Sequence, residues 1–243
     1  MNRNIYDDNV FFEKYSQMER STKGLSGAGE WETLQQLLPD FNGKRVLDLG
    51  CGFGWHCQYA IEHGAKAVTG VDGSEKMLTV AKEKTSSTIR YIHMPIEEAA
   101  FDEQSYDVVI SSLALHYIES FEQVARKVAR CLVANGEFVF SVEHPVFTAY
   151  GSQDWYYAED GSIAHFPVDR YFYEGERTTN FLGENVVKYH KTLTTYLQAL
   201  IGEGFEITAV VEPQPSKHLL DTVTGMKDEL RRPMMLIIAA KKK

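Results

Sequence analysis

Along the first 142 residues, short runs of consecutive apolar residues alternate with stretches in which apolar residues recur every three or four positions. The runs RVLDLG (45–50), AVTGVD (67–72), IRYIHM (89–94), YDVVIS (106–111) and EFVFSV (137–142) predict five strands. Several are apolar on successive residues, which marks strands buried on both faces, as in a parallel sheet covered by helices. Between them, 53–63 predicts a helix with Gly64 just past its end. Ser74 can cap a second helix that carries Met77, Leu78 and Ala81 on one side. Ser120 and Gln123 form a capping box ahead of Phe121, Val124, Val128 and Leu132, and Asn135-Gly136 is expected to end that helix.

From Glu143 to His190 the rhythm breaks into an aromatic-rich insertion of irregular strands and loops, punctuated by Gly151, Gly161, Gly175 and Gly183. Its rings suit a cover for a flat organic substrate, with mutual packing or a homodimer contact as the competing uses. The alternation then resumes with a helix carrying Leu193, Tyr196, Leu197 and Leu200, and strands at 205–212 and 234–241. Ahead of the first strand, one helix carries Phe11, Phe12, Tyr15 and Met18, and another carries Trp31, Leu34, Leu37 and Leu38. Both are free to cap the sheet's ligand end. The expected organisation is one domain over 1–243, with cap helices in 1–44 and a substrate lid in 143–190.

The 243 residues are 44% hydrophobic, enough for a substantial core. A formal net charge of −9, with basic residues clustered only at Lys241–Lys243, disfavours nucleic acid as a partner. Three cysteines with no CxxC pair argue against a disulfide framework or a structural metal site and fit a reducing compartment. With no signal-like start and no apolar stretch long enough to span a bilayer, a cytoplasmic protein is expected.

Gly50, Gly52 and Gly54 sit where the first strand hands over to a helix. They make either a tight turn or a cradle in which a ligand touches bare backbone. A dinucleotide fingerprint fails because bulky Trp55 stands where the third small residue belongs, and the Gly-Lys-Ser/Thr of a phosphate loop is absent. Asp48 places negative charge beside the loop, which suits a cationic ligand better than an anion. Asp72, at the end of the second strand, can accept from both hydroxyls of a ribose, or can serve only as a helix cap beside Ser74. A ribose, a cation and no pyrophosphate describe a nucleoside with a positive group, of which S-adenosylmethionine is the common biological example.

The segments VLDLGCGFGWHC, VTGVDGSEKML and FDEQSYDVVISSLALHYIESF resemble the successive motifs of class I S-adenosylmethionine-dependent methyltransferases, with most likeness to the small-molecule branch of ubiquinone and menaquinone biosynthesis. The resemblance implies an α/β, Rossmann-like, seven-stranded and mostly parallel sheet, with an antiparallel last strand and helices on both faces. It implies that Gly50, Cys51 and Gly52 line the methionine part of the cofactor, and that Asp48 orients the loop or reaches the amino group through water. Asp72 would hold the ribose, with Gly73 and Met77 near the adenine and Ser111 and Leu113 beside the sulfonium. Pro95 stands where the family often has an acid for the adenine, which leaves the backbone of Ile96 or the side chain of Glu97 for that contact. An N-terminal helix could bring Arg20 to the methionine carboxylate and Tyr15 over the cofactor; a solvated charge and a core aromatic are the other readings.

Methyl transfer asks the protein mainly to align reactants and exclude water, with a base only where the acceptor must lose a proton. His116 and His144, just past the fourth and fifth strands, are the candidates, with His190 behind them. Arg170, Arg177 and Lys188 read as surface charges, with an acidic acceptor as their alternative use. A small-molecule acceptor remains by subtraction. A non-catalytic cofactor-binding or assembly protein, and a nicotinamide oxidoreductase, are the competing functions.

Overall fold

The computed structural model describes residues 4–243. Seven strands form one sheet: β1 (Arg45–Leu49), β2 (Ala67–Asp72), β3 (Arg90–His93), β4 (Tyr106–Ser112), β5 (Leu132–Glu143), β10 (Phe205–Val211) and β11 (Met235–Lys242). Their order across the sheet is β10-β11-β5-β4-β1-β2-β3. The first five run parallel, and β11 pairs antiparallel with both β5 and β10. This is the expected topology. The order reverses between β1 and β4, and ligands of open α/β sheets bind at such a point, beyond the strands' carboxyl ends.

Side chains alternate between the faces of each strand. Leu47, Leu49, Phe138, Phe140 and Ile238 pack under Phe121, Val124 and Val128 of α6 (Phe121–Cys131) and Tyr196 and Leu200 of α8 (Leu193–Gly202). On the other face, Val46, Val68, Val108 and Ile110 lie under Cys57 and Ala60 of α4 (Trp55–Glu62) and Leu78 of α5 (Glu75–Lys84). Leu34 of α3 (Trp31–Leu37) packs on Val139, Ile237 and Ala239 of the same sheet. The second of the two expected cap helices therefore covers a sheet face instead of the ligand end. Its apolar stripe is buried against the sheet and, through Trp31, against Tyr59 of α4 at 4.8 Å.

The first N-terminal helix is broken in two, α1 (Asn9–Ser16) and α2 (Glu19–Thr22). The helix expected to run to Asn135-Gly136 stops at Cys131, because Leu132 already pairs with Tyr106 in the sheet. The extra residues form an irregularity in β5, where Asn135 takes a φ of 62°.

The insertion is more regular than its sequence suggests. After α7 (Pro145–Thr148) come a short pair, β6 (Tyr156–Tyr157) and β7 (Ile163–His165), and a hairpin of two seven-residue strands, β8 (Gly175–Phe181) and β9 (Glu184–His190). Some of its rings do pack among themselves. Phe147 and Phe166 stack at 5.7 Å, Trp155 meets Phe166 edge-on at 5.4 Å, and the Arg232 guanidinium lies 4.6–5.1 Å from all three. This ties the insertion to the segment ahead of β11, which also holds α9 (Lys217–Thr222). Phe172 and Tyr173 remain exposed. Among the described residues, no helix is long and apolar enough to cross a membrane.

Candidate active site

The glycine loop leaves β1 and is pinned to β2 at once: the Gly50 and Cys51 amides both donate to the Val71 carbonyl, at 2.8 and 3.0 Å. Gly50 has a φ of +75°, and a Cβ there would lie 2.2 Å from the Ala114 Cβ and 3.5 Å from Ile96 Cδ1. Gly52, at a φ of +51°, is different, because a Cβ there would meet nothing within 4 Å. One glycine is required by packing, and the other borders open space. Gly50→Ala is expected to destabilise the fold by about 2–5 kcal/mol, from backbone strain plus overpacking. Gly52→Ala should cost only about 1–2 kcal/mol of strain, with its main effect on cofactor affinity. Urea denaturation beside calorimetry would show this; equal stability losses would contradict it.

Asp72, at the end of β2, aims its carboxylate into the same space. Oδ2 accepts from the Gly52 amide and Oδ1 from the Ser74 amide, each at 2.8 Å. Burial raises its pKa, against these backbone donors. Asp48 is 1% exposed. Its Oδ2 accepts from the Cys57 thiol at 3.4 Å, while Oδ1 has no partner. Burial, helped by the charge of Asp72 and opposed by the Cys57 bond, lifts Asp48 to about 7. A nearby cation would restore its ionised form. Cys51 and Met77 are buried beside the loop and at the start of α5, and Gly73 is half-buried next to Pro95 and Asn4. Ser111 is committed to the fold, since its hydroxyl donates to the Leu49 carbonyl at 2.6 Å. Leu113 takes a φ of +50° and donates its amide to Ser141, a strained turn at the strand's ligand end.

The N-terminal segment lies across this loop. Asp7 accepts from the Ser74 hydroxyl at 2.7 Å and from the Lys76 amide at 3.2 Å. Phe12 and Tyr15 of α1 meet Phe53, inside the glycine loop, at 6.0 and 6.1 Å. Tyr15 lies within the fields of Arg20, Asp72 and Glu30, and burial raises its phenol. Arg20 pairs with Glu30 at 3.1 Å. Tyr6 hydrogen-bonds Tyr117 through their hydroxyls at 2.9 Å. Contacts thus join Gly50 and Cys51 to β2, Gly52 to Asp72, and Tyr15 to Phe53 of the same loop.

The two histidines part company. His144 caps α7, with Nδ1 accepting from the Val146 amide at 3.0 Å, and its Nε2 lies 2.8 Å from Glu212, just past edge strand β10. Nδ1 is thereby committed to the cap, and Nε2 is buried beside the Glu212 carboxylate without an aligned hydrogen bond. His190 is likewise consumed, between Thr148 and the Tyr171 carbonyl. His116 is buried two residues after Ala114, and its Nδ1 accepts from the Glu143 amide at 3.4 Å. A neutral ring that accepts at Nδ1 carries its proton on Nε2, which makes Nε2 the donor nitrogen of His116 in this arrangement.

Burial, with the nearby charges of Lys188, Lys191 and Arg20 and against that of Glu143, holds His116 at about 4. A histidine kept neutral in the fold protects it only above the unfolded value. Stability should therefore fall as pH drops from about 6.5 towards 4, by up to roughly 3 kcal/mol. His116→Gln should flatten that slope in denaturation curves at pH 7.5, 6 and 5; parallel slopes in variant and wild type would refute the assignment.

Several residues went unseen in the sequence. Lys188, read there as a surface charge, is 3% exposed. It bonds Glu143 Oε1 at 2.6 Å and Gln153 Oε1 at 2.9 Å. Glu143 also accepts from Gln153 Nε2 at 2.6 Å. Tyr6 and Glu30, outside every quoted motif, hydrogen-bond Tyr117 and Arg20 respectively.

A methyltransferase-domain family model matches residues 47–140. A crystal structure of an S-adenosylmethionine-dependent methyltransferase from Mesorhizobium loti is 42% identical, covering 90% of this chain and 100% of that one, with a TM-score of 0.84. A candidate enzyme of the same kind from Listeria monocytogenes is 58% identical, covering 90% and 99%, with a TM-score of 0.86. The ubiquinone biosynthesis O-methyltransferase of Coxiella burnetii is 34% identical over 44% of this chain and 47% of its own length. The open side of Gly52, the unpartnered oxygen of Asp48 and the anchored carboxylate of Asp72 fit S-adenosylmethionine. The chain belongs to the class I S-adenosylmethionine-dependent methyltransferases.

Proposed function

We propose that the chain methylates a small molecule, and that the roof over the strand ends is what restricts it to one. In that roof α1 and the β8–β9 hairpin touch each other. Phe11 meets Phe181 at 5.8 Å, and Lys14 Nζ donates to the Leu182 carbonyl at 2.9 Å. A site covered from both sides suits a compact acceptor better than an open groove for a polymer. The ubiquinone-pathway relative supports the same class, and the net charge of −9 disfavours a polyanion. Three free, buried cysteines suit a reducing compartment, which favours the cytoplasm.

Bound S-adenosylmethionine supplies a methyl group on a positive sulfur, with a neutral thioether as leaving group. In this reading Asp72 takes the ribose hydroxyls, Asp48 answers the amino end, and Arg20 receives the carboxylate. Tyr6, Tyr15 and Tyr117 exclude water above the loop, and His116 offers its Nε2 proton to an oxygen of the acceptor. His144 serves the fold at α7.

Incubation with methyl-labelled cofactor and a whole-cell extract, followed by separation by size, tests the proposal. Label is expected in the low-molecular-weight fraction. Label confined to protein or nucleic acid would reject the small-molecule acceptor, and cofactor binding with no transfer to any fraction would favour a non-catalytic role.

A further inference from the structure

We infer that Glu30 is a positioning residue for the cofactor's amino-acid end, acting through Arg20. The inference rests on the role of Arg20 proposed above. Glu30 is 1% exposed and stands immediately before α3. Its Oε1 accepts from two groups, Arg20 Nη2 and Ser112 Oγ, both at 3.1 Å. Ser112 ends β4, two residues before the Ala114 that touches Gly50. The carboxylate therefore links the guanidinium on α2 to the strand end that borders the cofactor loop.

Two features argue for more than a staple. Glu30 Oε2 is buried with no partner, a desolvation cost that an apolar pair would avoid. Arg20 uses one nitrogen on Glu30; its Nε and Nη1 donate to no other group among the described residues. Its charge reaches the phenols of Tyr15, which packs on Phe53 of the glycine loop, and Tyr6. An arginine has several rotatable bonds, so a buried counter-charge that holds one arrangement leaves less ordering to be done on binding. With the second hydrogen of Nη2, one edge of the Arg20 guanidinium stays open to a carboxylate.

The test compares two nucleosides. S-Adenosylhomocysteine carries the amino-acid end, and 5′-methylthioadenosine lacks it. Calorimetry on Glu30→Gln should show the first bound about tenfold or more weakly, the loss typical of a charged hydrogen bond. The second should bind within about twofold of wild type. Equal weakening of both, or no change in either, overturns the inference. Ser112→Ala keeps both charges, removes one donor to Glu30 and covers the case in which Glu30→Gln folds poorly. A selective loss of about threefold is expected there, and an unselective one counts against the inference. Wild-type protein that binds neither nucleoside would sink the cofactor roles themselves. Normal wild-type binding with an unselective loss in the variants overturns the role of Glu30 alone.

Discussion

Asp72→Ala is expected to weaken S-adenosylhomocysteine binding by about a hundredfold or more. The carboxylate is held rigid before any ligand arrives, since each oxygen already accepts one backbone amide at 2.8 Å. Each retains a further lone pair for a ribose hydroxyl. Two hydrogen bonds to a charged group are together worth roughly 3–6 kcal/mol, and a hundredfold in affinity needs only about 2.7 kcal/mol. The substitution also frees the Gly52 amide, so the loop keeps only the Gly50 and Cys51 bonds to Val71 as its hold on β2, and the open side of Gly52 is less firmly fixed. Asp72→Asn, which keeps one acceptor oxygen and the side chain's shape, should fall between wild type and alanine. Calorimetry measures all three. A loss below about fivefold in the alanine variant would mean that Asp72 caps α5 and does little else.

What could be read in advance divides along a physical line. Strand and helix identity follow from local periodicity, so β2 lies at 67–72 as read, and the seven-stranded sheet with an antiparallel last strand that the resemblance implied is present. The cofactor loop was legible because glycines at Gly50 and Gly52 answer to backbone geometry within a few residues. Side chains whose partners are far along the chain were not. Lys188 meets Glu143 across 45 positions, and nothing in KYH or VEH foretells the pair. Glu30 meets Ser112 across 82. His144 looked catalytic because it follows a strand at the ligand end, yet Glu212 and the α7 cap claim its ring. Leu34 could be read as a core residue but not assigned a face, since α3 is placed by the sheet it covers.

Lys188→Ala should destabilise the protein by about 3–5 kcal/mol at pH 7.5, the usual cost of stranding one member of a buried ion pair. In the wild type, burial pushes the Glu143 carboxyl upward, but His116, Lys188 and Gln153 together bring it below its ordinary value. A carboxylate so lowered adds stability above the unfolded value of about 4.3, and this is lost on acidification through its folded pKa. His116, held at about 4, is largely uncharged above about pH 4.5, so without Lys188 the burial contribution is opposed mainly by Gln153, and the carboxyl of the variant should rise above its unfolded value. The sign then reverses: the variant gains by taking up a proton as pH falls, while the wild type does not. The gap between the two should therefore narrow between pH 7.5 and about 4.5, and urea denaturation at several pH values would follow it. Glu143→Gln combined with Lys188→Met removes both charges and should cost less than the two single changes summed. A constant gap across pH, with simple additivity in the double variant, would mean that Lys188 contributes through its hydrocarbon stem alone.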